Sequence, residues 1–366
     1  MDKDILRQDN TGRIRTFQGA RFLFVVLIYM SHCVTPRTLQ PFDFGGEAGV
    51  SFFFSLSGFV LSWGYGPSVS RGEFKPGRFF WGHFWRLYPL HLLLFAIMLA
   101  LDMHAGHCYD WLQTVTTLLL LQSWIPCNHA LYNINAVSWF LCDTIFFYAI
   151  FRWLYRLLTR DAVSRPSFKP VVKSAFLLFA VAYCVVAWRV PGDMVNCTLY
   201  VNPLLRAVDF GLGIAAYRLY KTGWPCGHGF LRAKVLLPAW AVVFWLLYNV
   251  YQALDGNGVR CAALFWPFMP LLVMSLASAD VRRDPVAMLL ASRPMVWLGG
   301  MSFEFFMAHL LAMRLTRHYF GFDATHEGDM LYFSVAFVVA VAMACVLHYW
   351  FVKPVGNAIN RRFPRF

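Results

Sequence analysis

The sequence predicts an all-α polytopic membrane protein, and three observations carry that prediction. Hydrophobic residues make up 59% of the 366 residues and charged residues only 14%, whereas roughly 25% of an ordinary soluble domain is charged. Aromatic residues reach 18%, which is typical of lipid-facing helices with aromatic belts at the membrane interfaces. Long apolar runs recur along the chain. This pattern excludes an ordinary cytosolic enzyme, a disordered chain and a coiled coil.

Ten of the apolar runs are long enough to cross a bilayer, because a spanning helix requires about 20 apolar residues for a core about 30 Å thick. The predicted spans lie near residues 17–34, 48–65, 79–101, 136–157, 171–188, 203–219, 235–251, 259–278, 294–315 and 330–351. An eleventh run, 110–125, would reach only about 24 Å at 1.5 Å per residue, so we predict a short re-entrant or interfacial segment there. The chain is therefore expected to form one integral-membrane domain, residues 1–366, with ten transmembrane helices.

The positions of the basic residues predict the topology, because Lys and Arg accumulate in cytoplasmic loops. If the N-terminus is cytoplasmic and the short run does not cross, most of the 32 Lys and Arg residues fall on the cytoplasmic side. If the short run crossed, every basic segment after it would move outside. We therefore expect both termini to be cytoplasmic. The net charge of +13 then reflects topology and attraction to anionic membrane lipid, and we expect no nucleic-acid partner.

The nine cysteines predict neither a zinc site nor a disulfide framework. They are odd in number and none of them forms a C-x-x-C pair, which is the spacing that such sites commonly use. No metal site is therefore expected.

Ionisable residues inside the predicted spans point to function, because burying them in a membrane is costly. The predicted topology gives each of them a depth in the membrane. The outer-side layer comes from four spans and contains His32, Asp143, Arg206, Asp209 and His309. The inner-side layer contains Arg21, Arg78, His83 and Arg86. We expect an outward-facing site above a basic site that opens to the cytoplasm.

Simpler explanations exist for several of these residues. Arg206 and Asp209 have the i, i+3 spacing of an ion pair on one helix. His309 is compatible with a core histidine that bonds to a backbone carbonyl. Arg78 and Arg86 are compatible with side chains that reach from a span to the membrane surface. His32 is the hardest to explain structurally, because a histidine beside a carboxylate such as Asp143 is a common general-base arrangement.

Several motifs resemble the acyltransferase-3 family of integral-membrane O-acyltransferases. Arg21 and His32 are separated by ten residues, as in its R-x10-H signature. Six further blocks follow in the family's order. They are GVSFFFSLSGFVLS (49–62) for GV-x-x-FF-x-LSGF, RFFWGHFWRLYP (78–89) for R-x-x-R-(I/L)-x-P, VSWFLCDTIFFY (137–148) for WSL-x-x-E-x-x-FY, PLLRAVDFGLGIAAYRL (203–219) for P-x-x-R-x-x-x-F-x-x-G, LGGMSFEFFMAHLL (298–311) for LG-x-x-SY-x-x-Y-L-x-H, and HYWFVKPVGN (348–357) for a closing aromatic–Pro segment.

This resemblance implies transfer of an acyl group, most commonly acetyl, from cytoplasmic acyl-CoA to a hydroxyl of an extracytoplasmic glycan or glycolipid. It implies a bacterial cytoplasmic membrane location and acyl-CoA as co-substrate, with no permanently bound cofactor. His32 is expected as general base, with Asp143 orienting its imidazole. Arg21, Arg78, Arg86 and Ser57 are expected to bind acyl-CoA, and Arg21 is also expected in the catalytic group. Arg206, Asp209 and Trp139 are expected to bind the acceptor. His309, Arg206 or the Ser57 hydroxyl would stabilise the oxyanion.

The sequence departs from the family pattern at three places. Asp143 stands where Glu is usual, which shortens the carboxylate arm. Lys353 precedes Pro354 where an acidic or Arg-containing sequence is commoner. Phe303 and Phe306 replace the usual tyrosines, which removes two hydroxyls from the outer layer.

A secondary transporter or flippase is the alternative reading of the same residues. Such a protein would also carry intramembrane His, Asp and Arg and helices broken by Gly or Pro. Inverted repeats would favour it, and the sequence shows none. A transporter should neither bind nor hydrolyse acyl-CoA, which separates the two hypotheses.

Overall fold

The computed structural model describes residues 14–43, 45–125, 134–159, 168–223, 233–254, 257–279 and 284–362. Every regular element within these ranges is a helix. The α-helices are α1 (Arg15–His32), α2 (Gly45–Arg71), α3 (Pro76–His104), α4 (Trp111–Leu118), α5 (Trp139–Thr159), α6 (Phe168–Arg189), α7 (Gly192–Val195), α8 (Pro203–Lys221), α9 (Ala233–Ala253), α10 (Met269–Ser278), α11 (Pro285–Leu290), α12 (Arg293–Gly300), α13 (Ser302–Phe320), α14 (Met330–Leu347) and α15 (Lys353–Arg362). Short 3₁₀ and π-helical turns connect some of them.

The membrane-protein class is supported, but the count of ten spans is not established. Within the described residues, four helical regions are long and apolar enough to cross a membrane, and they contain α2, α3, α5 and the α14–α15 run. A fifth span results if α12 and α13, which meet at an angle of 65°, are counted together.

The short run at 110–125 forms α4 followed by a 3₁₀ turn, Gln122–Trp124. An eight-residue helix is only about 12 Å long, so it is too short to cross the membrane. The flanking segment 126–133, the N-terminal residues 1–13 and the basic loop 160–167 lie outside the described residues, so the topology prediction that depends on them is not tested here.

Helix α1 packs closely on α11 and α12. A Cβ at Gly19 would meet the backbone carbonyl of Leu290, and one at Gly299 would meet the carbonyl of Gln18. Small residues permit such backbone approach between membrane helices. At the two ends of α1, the Thr16 hydroxyl donates to the Leu276 carbonyl (2.8 Å) and the Tyr29 hydroxyl donates to the Phe333 carbonyl (2.7 Å). These contacts fix the height of both Arg21 and His32.

Helices α2 and α8 cross in the same way. The positions of Gly58 and Gly213 leave no room for a Cβ, because each faces a backbone carbonyl of the other helix, that of Phe210 and that of Ser55 respectively. The Ser55 hydroxyl also donates to the Asp209 carbonyl at 3.1 Å. This crossing places Arg206 and Asp209 against α2.

Candidate active site

Two histidines from different helices lie side by side at the outer-side end of the protein. His32 is the last residue of α1 and is exposed, whereas His309 lies within α13 and is fully buried. Their ring centroids are 5.1 Å apart. The structure therefore brings together two of the residues that the sequence assigns to the outer layer.

Backbone carbonyls hold both imidazoles in the same tautomer. Nδ1 of His32 lies 2.8 Å from the Ile28 carbonyl oxygen, and Nδ1 of His309 lies 2.7 Å from that of Phe306. A carbonyl can only accept, so Nδ1 carries the proton in each neutral ring and Nε2 keeps its lone pair. Nε2 of His309 is buried and has no hydrogen-bond partner within the described ranges. Each ring can therefore accept a proton at Nε2, and a neutral His309 cannot donate from that atom to an oxyanion.

Asp143 does not contact His32 in this arrangement. Its side chain is fully buried in α5, and neither carboxylate oxygen has a hydrogen-bond partner among the described residues. The nearby Ser123 hydroxyl donates instead to the Trp139 carbonyl at 3.3 Å. The charges that act on Asp143 are those of Arg206 and Asp209. The Ile28 carbonyl, and not Asp143, holds the orientation of His32.

Arg206 and Asp209 form the ion pair that their spacing indicates, with 3.1 Å between Nη1 and Oδ2. The Arg206 guanidinium also donates to the Tyr200 carbonyl (2.8 Å) and to the Ser51 hydroxyl (3.2 Å). Both side chains are almost completely inaccessible. The pair therefore joins α8 to α2 inside the protein, and direct contact with an acceptor would require these helices to separate.

Trp139 is buried beside this pair, with its ring 4.9 Å from that of Tyr200. Ser57 is half-buried, and its hydroxyl makes no hydrogen bond within the described part of the chain. The assignment of Trp139 to the acceptor and of Ser57 to acyl-CoA stays a prediction.

The inner-side layer gathers residues from four helices around the Tyr148 hydroxyl. The charges of Arg21 on α1 and Arg86 on α3 both act on this group. The His83 ring lies 4.9 Å from Tyr148 and 5.4 Å from Tyr65 on α2. The sequence reasoning missed both tyrosines, because aromatic residues are common fillers of membrane helices and their hydroxyls carry no spacing signal.

The position of His83 changes how the R-x-x-R block is assigned. His83, not Arg78, stands three residues before Arg86, so it occupies the first arginine position of the block. Its Nδ1 donates to the Phe79 carbonyl at 2.7 Å, while its ring faces Tyr65 and Tyr148. Arg78 lies eight residues before Arg86, or about 12 Å closer to the start of α3. An imidazole therefore stands at the position of one guanidinium near Arg86.

The part of the chain that the structure describes contains no candidate metal site. No group of three or more His, Cys, Asp or Glu side chains could hold a metal ion there. The seven described cysteines are free thiols.

Comparison with known proteins gives a consistent result. The model of a family described as an acyltransferase domain matches residues 14–349. The chain is 27% identical to "Acyltransferase MdmB" of Streptomyces mycarofaciens, over 96% of this chain and 94% of that protein. It is also 49% identical to "Protein 2 in picA locus" of Rhizobium radiobacter, but over only 51 residues, 14% of this chain and 27% of that protein. No solved structure matches.

Proposed function

The chain belongs to the acyltransferase-3 family of acyltransferases, and from that premise we propose that it moves an acyl group, most commonly acetyl, from cytoplasmic acyl-CoA to a hydroxyl of an extracytoplasmic glycan or glycolipid. The family match and the likeness to an acyltransferase along nearly the whole chain identify an enzyme. The transporter or flippase alternative is therefore not supported. The acyl group, the donor, the acceptor and the residue roles given below are proposals.

The observation that carries the proposal is the exposed His32 with an available Nε2. In the proposed reaction this atom takes the proton of the acceptor hydroxyl as the oxygen attacks the thioester carbon. The tetrahedral intermediate then collapses, the C–S bond breaks, and the proton returns from His32 to the CoA thiolate. A positioned general base of this kind contributes typically 10²–10⁴-fold to the rate.

The donor would reach His32 from the cytoplasmic side. Arg21 lies eleven residues before His32 on the same helix, or about 16 Å below it. We assign the phosphates of acyl-CoA to the region of Arg86 and Arg78, because guanidinium groups match phosphate oxygens with paired hydrogen bonds. The pantetheine arm would then pass Arg21 and Tyr148 and present the thioester at the outer layer. This route places both termini in the cytoplasm, with the protein in the cytoplasmic membrane.

The buried ionic residues act indirectly in this proposal. Arg206 and Asp209 hold α8 against α2 behind Trp139, and the buried Asp143 lies within range of their charges. His309 is the nearest ring to His32 and supplies a second proton acceptor. These assignments differ from the expectation that Asp143 orients His32, and they follow from the hydrogen bonds described above.

A pair of histidine variants tests the proposal. The purified protein in lipid nanodiscs is given acetyl-CoA and membrane glycolipid extract, and the products are examined for an added acetyl group by mass spectrometry. His32→Ala should lose nearly all transfer and keep its affinity for acetyl-CoA. His318→Ala, which changes another exposed histidine near the outer-side end of α13, should transfer normally. Full activity of His32→Ala would overturn the assignment, and absence of acetyl-CoA binding in the wild type would overturn the donor.

A further inference from the structure

We propose that a groove between α3 and the α14–α15 run binds one anionic phospholipid of the cytoplasmic leaflet, with an acyl chain along its apolar wall and the phosphate at Arg86. This site goes beyond acyl transfer, but it shares Arg86 with the region proposed for the phosphates of acyl-CoA, so lipid and donor would compete for that side chain. The groove encloses about 160 Å³, with Leu90, Phe351, Val355 and Ile359 among its walls and with Arg86 and Asn360 at one end.

Two irregularities in the facing helices open this groove. Pro89 lies inside α3, where it removes one backbone hydrogen bond. Opposite it, residues His348–Val352 form a π-helical turn between α14 and α15, which shifts the side chains that follow it. Such π turns are frequent at functional sites. Residues Val355 and Ile359 then repeat at i, i+4 and present one apolar face toward α3.

The size and lining of the groove favour a hydrocarbon chain over a nucleotide. The groove provides about 160 Å³, less than the roughly 300–1,000 Å³ of sites for drug-sized ligands, and apart from Arg86 and Asn360 its lining residues are apolar, so it offers few hydrogen-bond partners to the adenosine part of acyl-CoA. An apolar cavity of about 150 Å³ takes up a single small apolar molecule such as benzene. A segment of an acyl chain, lying lengthwise between Leu90 and Ile359, matches both the volume and the apolar lining of the groove.

The end of the groove is polar and positively charged. Nη2 of Arg86 donates to Oδ1 of Asn360 at 2.8 Å, which holds the guanidinium across the groove's end. Helix α15, which carries Asn360, also exposes three basic residues, Lys353, Arg361 and Arg362. Clusters of basic residues immediately beside a membrane attract anionic lipids. The charge therefore matches a phosphate whose chain continues along the apolar wall.

Exposed tryptophans place the groove at the level of the lipid head groups. Trp85, next to Arg86, is 40% exposed, and Trp350, next to Phe351, is 85% exposed. Tryptophan is enriched where a membrane helix passes from the hydrocarbon core into the interface. With aromatic residues on both sides, the groove spans the boundary that a phospholipid itself spans.

A glycine in the groove provides a selective test. Gly356 lines it, and a Cβ built there would meet no atom within 4 Å, so Gly356→Leu should fill the groove without disturbing the backbone. Gly64→Leu is the matched control, since Gly64 is also helical, exposed and without an atom within 4 Å. Native mass spectrometry would compare the full-length variants after exchange into phosphatidylglycerol or phosphatidylcholine of identical chains.

We expect the wild type and Gly64→Leu to retain one phosphatidylglycerol in preference to phosphatidylcholine. In Gly356→Leu the retention of phosphatidylglycerol should fall at least fivefold. Arg86→Gln should reduce the preference about fivefold, the effect of one basic residue near an anionic head group. Equal retention by the wild type and Gly356→Leu, or no preference in the wild type, would overturn the proposal. If Gly356→Leu does not fold, Val355→Trp fills the same space.

A second measurement separates the lipid from the donor substrate. A single introduced cysteine, Gly356→Cys, is exposed to a maleimide in the presence of phosphatidylglycerol or of acetyl-CoA. Protection by the lipid alone supports the proposal, whereas protection by acetyl-CoA alone assigns the groove to the donor and overturns it. Because no acyl transfer is measured, failure of this proposal is distinguishable from failure of the proposed function.

Discussion

Backbone carbonyls, rather than a carboxylate, set the tautomers of the two histidines at the candidate site. Because Ile28 and Phe306 accept from Nδ1 of His32 and His309, both rings keep Nε2 as the atom that can take a proton. Asp143, on α5, keeps both of its oxygens unbonded in the described region. The chemistry at His32 therefore depends on helix α1 itself, and a change at Asp143 should act on other properties.

Two carboxylate variants test this separation. Asp143→Asn replaces a buried carboxyl group whose oxygens have no hydrogen-bond partner in the described region, and an unpartnered polar group is costly to bury, so we expect little loss of thermal stability and most of the activity. Asp209→Asn leaves the Arg206 guanidinium buried without its ion-pair partner, which typically costs about 3–5 kcal/mol. Thermal unfolding in one detergent compares the two. A loss of stability as large in Asp143→Asn as in Asp209→Asn would show that Asp143 belongs to the structural pair.

The inner layer has its own residue-scale prediction. If Arg86 contacts a phosphate of acyl-CoA, Arg86→Ala should weaken binding by about 1.5–3 kcal/mol for each charge-assisted hydrogen bond lost. Isothermal titration calorimetry with CoA measures this. Arg71→Ala is the control, because Arg71 is exposed and paired with Glu73 at the end of α2. Equal CoA affinity in both variants would leave Arg86 without a role in donor binding.

At the scale of elements, the crossing of α2 and α8 depends on glycine. A Cβ at position 213 would meet the backbone carbonyl of Ser55, so Gly213→Ala must push the two helices apart, at a typical cost of about 1–3 kcal/mol. Gly64→Ala meets no atom within 4 Å and should be neutral or stabilising, because alanine favours a helix by about 1 kcal/mol over glycine. Equal melting temperatures of the two variants would contradict this account of the crossing.

The sequence predicted heights along the helices better than it predicted contacts between them. The spacing of Arg21 and His32 along one helix predicts that they lie in different layers, about 16 Å apart. The predicted outer layer also contains His309, whose ring lies beside that of His32. The rotation of a helix about its axis is not encoded in hydropathy, so Asp143 was assigned to His32 although it faces the α8 pair. The bend between α12 and α13 comes directly after Gly299 and Gly300, and Gly299 packs against the backbone of Gln18, a contact that hydropathy does not predict.

For the whole molecule, α1 is the element that connects the two layers. It carries Arg21 and His32, and it packs on α2, α11, α12 and α13 through the contacts described above. A substrate that binds at Arg21 and reacts at His32 would therefore follow a single rigid helix. This arrangement requires that the inner layer face the cytoplasm, where acyl-CoA is made available, and that the outer layer face away from it.

The topology prediction tests that requirement directly. Helix α4 has eight residues and cannot cross the membrane, so positions 128 and 167, both outside the described residues, should lie on opposite sides, separated only by the span that contains α5. In intact cells expressing a cysteine-free background, a membrane-impermeant maleimide should label Asn128→Cys and not Ser167→Cys, and permeabilisation should make both reactive. Thr325→Cys, in the described loop after α13, should react like Asn128→Cys and serves as the outer control. Labelling of Ser167→Cys and not of Asn128→Cys in intact cells would contradict this topology, because if the segment 110–125 crossed, the residues after it, His309 among them, could not lie at the level of His32.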